Sequence, residues 1–132
     1  MNQELATKGE TMEIKAVVAF IRRDRLEEVE RKLREIGVER INVYKVKGYG
    51  EYHDFFARDW MVEEVRVDIF TRVDEVDKVV GAIIDGAHTG LPGDGVVAVI
   101  PVEKFYLIRT RAEATPDEFW PRAVRRRRQG AA

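Results

Sequence analysis

Asp24-Arg25-Leu26-Glu27-Glu28-Val29-Glu30-Arg31-Lys32-Leu33 and Asp74-Glu75-Val76-Asp77-Lys78-Val79-Val80-Gly81-Ala82-Ile83 are the two stretches whose reading decides the fold. A shift of fifty positions lays Asp24, Leu26, Val29 and Leu33 over Asp74, Val76, Val79 and Ile83, so an acidic start and an apolar stripe at helical spacing recur in register. In the first copy, Asp24 with Glu27 reads as an N-cap followed by an acidic residue in the first turn. The stripe then runs through Ile36 to a left-handed stop at Gly37. In the second, Asp74 is the expected cap, Ile84 extends the stripe and Gly86 ends it.

Each helix is framed by strands. The run from Ile14 to Ile21 is rich in β-branched residues and reads as strand one, and residues 38–47 read as strand two, ending at Gly48-Tyr49-Gly50. Val65, Val67 and Ile69 alternate with Glu64, Arg66 and Asp68, the period of a sheet with one covered face. Residues 96–100 are apolar on both faces, as expected of a central strand, and Pro101 is expected to stop its pairing. Two strand-helix-strand units in tandem predict an α+β, ferredoxin-like βαββαβ domain with a short C-terminal strand. Helices cover one face of such a sheet, and the bare face predicts a homo-oligomer; a monomer covered by its own C-terminal segment is the alternative.

The chain has 132 residues with 45% hydrophobic composition, enough for one modest core. Its 23 Lys and Arg against 24 Asp and Glu give no field that would attract nucleic acid. No Cys is present, so there is no disulfide framework, and no apolar run is long enough to cross a bilayer. A cytoplasmic location is the expectation. Residues 1–11 read as a disordered leader, 12–112 as the domain, and 113–132, with arginine at 125–128, as a charged disordered tail.

Two segments offer chemistry. Lys47-Gly48-Tyr49-Gly50 opens a loop running to about Met61, and Thr89-Gly90-Leu91-Pro92-Gly93-Asp94-Gly95 is a glycine-dense connection able to turn several backbone amides toward an anion. Beyond it, Ile108-Arg109-Thr110 reads as a short terminal strand carrying a guanidinium suited to phosphate. His88 has no serine, cysteine or second histidine paired with it in the sequence, so a catalytic role is not expected.

These motifs, in this order, resemble the nitrogen-regulatory PII proteins and their PII-like relatives. Val46-Lys47-Gly48-Tyr49-Gly50 is similar to the base of the family's T-loop, residues 89–95 to its B-loop, and Pro101-Val102-Glu103 with Ile108-Arg109-Thr110 to its C-terminal motif. The resemblance implies a homotrimer that is a signalling protein and not an enzyme. It would bind an adenine nucleotide between subunits, at Gly48, Tyr49, Gly50, Thr89, Gly90, Leu91, Pro92, Gly93, Asp94, Gly95, Val96 and Arg109, and report to a transporter or enzyme through the T-loop.

Departures from the pattern bear on the ligand. Val96 stands where the B-loop ends in lysine, Glu64 replaces a lysine after the T-loop, and Leu107 replaces the first arginine of the terminal pair. Losing three cations disfavours a triphosphate and points to ADP, AMP or a cyclic nucleotide. The T-loop is also shorter than usual and lacks a clear counterpart of the glutamine that helps hold magnesium and 2-oxoglutarate. Within it, Glu51, His53, Asp54 and Asp59 are weak candidates for a metal, and with no nucleotide bound the trimer would serve metal or anion sensing, or act as a scaffold. Tyr52, Phe55, Phe56, Trp60 and Met61 read as an aromatic lid or a partner-docking surface.

Overall fold

The computed structural model describes residues 13–48 and 62–119. Strand β1 (Ile14–Arg22) leads through a 3-10 turn (Arg23–Arg25) into helix α1 (Leu26–Glu35), followed by β2 (Asn42–Gly48). The second unit repeats the plan: β3 (Val62–Arg72), a 3-10 turn (Val73–Glu75), α2 (Val76–Ala87) and β4 (Gly95–Val102). A small hairpin, β5 (Tyr106–Leu107) with β6 (Ala112–Glu113), and a last 3-10 turn (Pro116–Glu118) complete the described chain. The antiparallel sheet has the order β2-β3-β1-β4, with two helices on one face, the α+β ferredoxin-like arrangement.

The alternation read in the sequence sets the core. Val17, Ala19 and Ile21 of β1 and Val65, Val67 and Ile69 of β3 point to the helices and bury against Val29, Leu33, Val76, Val79, Ala82 and Ile83. The helices meet closely at Gly86, where a Cβ would come within 2.8 Å of the Val29 Cα. Arg25 reinforces the contact by donating from Nε to the Gly86 carbonyl at 2.9 Å.

Several expectations are corrected. Asp24 and Asp74 do not cap, because each lies within a 3-10 turn that precedes its helix, and the N-cap positions show no side-chain cap hydrogen bond. Strand two starts at Asn42, not at residue 38. Gly37 (φ 94) ends α1 as expected, and Val38 is spent on the helix end, its amide donating to the Leu33 carbonyl.

β4 is an edge strand, not a central one. Its apolar Val96, Val99 and Ile100 are exposed, and Pro101 continues the ladder opposite Lys15, as an edge permits for a residue without an N–H. Among the described residues, the bare face is covered at one corner, where Phe105 packs on Phe70 and Phe119 on Phe105. Structure therefore continues beyond the boundary expected at 112, with residues 113–119 forming strand, turn and a buried Phe119.

Candidate functional site

Strand register gathers two loops at one end of the sheet. Gly48 pairs with Val62 at the base of the first loop, Arg22 stands opposite Glu64, and Ile21 opposite Gly95, where the glycine loop enters β4. Of the expected site residues, this brings together Gly48 and residues 89–96. Tyr49, Gly50, the metal candidates Glu51, His53, Asp54 and Asp59, and the aromatic lid lie outside the described residues.

The glycine loop is organised from within by Asp94. Its Oδ2 accepts the amides of Thr89 and Gly90, each at 2.8 Å, and its Oδ1 accepts the Thr89 hydroxyl at 2.5 Å and Arg22 Nε at 3.1 Å. Arg22 also donates to the Pro92 carbonyl at 2.6 Å, and the Leu91 amide donates to Thr89 Oγ1 at 3.1 Å. Thus the amides of Thr89, Gly90 and Leu91, expected to face an anion, are already taken by side chains of the loop itself. The hydroxyl and amide of Thr89, then the Gly90 amide and Arg22, hold the Asp94 carboxyl far below the usual carboxylate range, against a smaller opposing effect of desolvation.

Glycine is required where the loop rejoins the sheet. Gly95 has φ +106, and a Cβ there would lie 1.8 Å from the Phe20 carbonyl oxygen. The backbone of β4 consequently approaches β1 more closely than any side chain would allow. His88, at the end of α2, donates its amide to the Ile84 carbonyl and is exposed.

The electrostatics of this end are nearly balanced. Arg22 is paired with Asp94, and Arg23 with Glu63 at 2.6 Å. Glu64, in the place where the resemblance puts a cation, has its pKa raised by desolvation. Arg22 was not among the sequence-derived candidates. Its partners lie about seventy residues away, and the only cue was a charged residue closing the mostly apolar strand from Ala16 on.

Arg109 is elsewhere. It lies in the turn between β5 and β6, not on a strand, and no hydrogen bond or ion pair joins it to the glycine loop among the described residues. Its hairpin packs toward the start of β2 and the far part of β3, about 20 Å along the sheet from Glu64 at the strand rise of ~3.3 Å per residue. There a cleft of about 360 Å³ is lined by Arg40, Asn42, Asp68, Phe70, Phe105 and Ile108, among others. Within one chain, then, the braced glycine loop and the cleft next to the turn that carries Arg109 stand apart.

The profile of the family described as Nitrogen regulatory protein P-II matches residues 14–112. The chain belongs to the P-II family. The nitrogen regulatory protein GlnK2 of Haloferax mediterranei is 36% identical over 105 residues, covering 74% of this chain and 85% of that protein. The P-II protein of Azospirillum brasilense is 32% identical over 104 residues, 74% of this chain and 93% of its own. The P-II homolog of Arabidopsis thaliana is 35% identical over 102 residues; this covers 71% of this chain but only 52% of the plant protein. A crystal structure of Arabidopsis thaliana PII bound to citrate superposes with a TM-score of 0.67 at 33% identity, covering 78% of this chain and 90% of that one. The P-II match thus includes both glycine motifs and Arg109, and it ends before Phe119.

Proposed function

We propose that this P-II protein is a homotrimeric regulatory sensor whose effector is an adenine nucleotide of low phosphate charge, held between subunits. The observation that carries this reading is the separation of the glycine loop from Arg109 within one chain. A second copy, docked through the exposed apolar residues of β4, supplies the guanidinium that the loop lacks. The bare sheet face and the open edge at Val96 and Ile100 are the surfaces such an assembly would cover.

Charge selects the ligand class. Because Arg22 and Arg23 are already paired and Glu64 adds a carboxylate, the cations left for phosphate are few, and AMP, ADP or a cyclic nucleotide suits the site better than ATP. Effector contact at Gly48 and the glycine loop would bias the T-loop between conformations, and a transporter or enzyme target would read that bias. This role is regulatory rather than catalytic, and cytoplasmic. Among the described residues no helix is long and apolar enough to cross a membrane.

Calorimetric titration with ATP, ADP, AMP, cyclic AMP and cyclic di-AMP, with and without magnesium and 2-oxoglutarate, tests the proposal. Binding of a mono- or diphosphate in preference to ATP, lost in Arg109→Ala, is the expected result. Absence of binding across the panel by an intact oligomer would refute it.

A further inference from the structure

The family match ends at residue 112, yet the chain beyond it builds part of the cleft beside Arg109. After β6, the 3-10 turn at Pro116–Glu118 is fixed by Thr115, whose amide donates to Glu118 Oε1 at 2.6 Å and whose hydroxyl lies 2.7 Å from Asp117 Oδ1. That turn delivers Phe119, only 6% exposed, against Phe105 with ring centroids 4.7 Å apart and planes at 64°. Phe105 in turn stands edge-on to Phe70, at 5.0 Å and 65°.

Three rings in an edge-to-face chain thus line the cleft together with Arg40, Ile41, Asn42 and Asp68. The cleft stays open with Phe119 seated, so the arm is a wall and not a plug. Residues 38–41 lie outside the strand ladder, which begins at Asn42, and line the cleft together with the aromatic rings.

We propose that Phe119 is a positioning residue that determines effector specificity: by docking on Phe105 it sets the aromatic wall against which the flat ring of the effector packs. Effector binding and docking of residues 115–119 then stabilise each other, since a ligand that prefers the docked state holds it. The inference rests on the reading that the cleft takes a nucleotide. It adds that ring selectivity comes from a segment outside the family frame.

The test uses the full-length protein, titrated with AMP, ADP and ribose 5-phosphate in the wild type, Phe119→Ala and Phe119→Leu. The expected result is a loss of nucleotide affinity of about tenfold in Phe119→Ala. Phe119→Leu should lie between, and ribose 5-phosphate binding should be unchanged. Wild-type nucleotide binding with the ring-to-phosphate selectivity unaltered in both variants overturns the role of the arm alone. A wild type that binds neither nucleotide overturns the nucleotide reading and this inference with it.

Discussion

Arg22 and Arg72 occupy the same place in the two halves, fifty residues apart, each closing a long strand ahead of a 3-10 turn and a helix. Arg72 is spent locally, on Asp74 at 3.3 Å and Glu75 at 3.5 Å. Arg22 instead reaches Asp94 and the Pro92 carbonyl. The difference follows from topology. β1 lies between β3 and β4, so its end meets the glycine loop, whereas β3 runs antiparallel to β1 and finishes at the other end of the sheet, beside Ile14. Duplication supplies the frame, and position within the sheet decides which copy of a residue acquires a functional partner.

The sharpest way to break this asymmetry is Gly95→Ala. With φ at +106 and the Phe20 carbonyl 1.8 Å from the new Cβ, β4 must separate from β1. Urea denaturation should show a loss of about 3 kcal/mol or more. Gly86→Ala presses on the Val29 backbone at 2.8 Å, testing the joint between the two halves rather than the loop, and should cost about 2 kcal/mol in the same assay.

Asp94→Asn sharpens the comparison through pH. The folded-state pKa of Asp94 is depressed, so its contribution is complete above the unfolded value of about 4 and is lost as pH falls through the lower folded value. Wild-type stability, measured by urea titration at a series of acidic pH values, should fall in that range more steeply than that of the variant, while above it the variant is the less stable protein. Equal slopes would show that the carboxylate does not brace the loop.

The smallest effects belong to the arginine pair. Arg22→Ala, which leaves the Pro92 carbonyl without its donor, should cost about 1 kcal/mol. Arg72→Ala should stay within about 0.5 kcal/mol, because its contacts are local and long, at 3.3 and 3.5 Å. Amide exchange at Thr89 and Gly90 should accelerate in the first variant only.

The frame was readable because its signals are local and periodic: the stripes of Val29 and Leu33 and of Val79 and Ile83 mark helix faces without knowledge of the partner. The caps were misread because a 3-10 turn and a capping box both place an acidic residue ahead of an apolar stripe, and only backbone angles separate Asp24 in one from Asp24 in the other. For β4, apolar composition on both faces identified a strand but not its neighbours, since an edge strand and a buried central strand can carry the same apolar side chains. The glycine loop was legible as a loop. That Asp94 consumes its own amides was not, because aspartate is equally common as a turn former and as a ligand contact.

The placing of Arg109 away from the loop within its own chain has a genetic corollary under the trimeric reading. If each effector site joins two chains, a copy lacking Arg109 and a copy with a ruined glycine loop are each inactive alone, yet when co-expressed they can rebuild intact sites where the two sound halves face one another. Complementation between two inactive alleles, rather than simple recessiveness, would be the inheritance pattern of such a sensor.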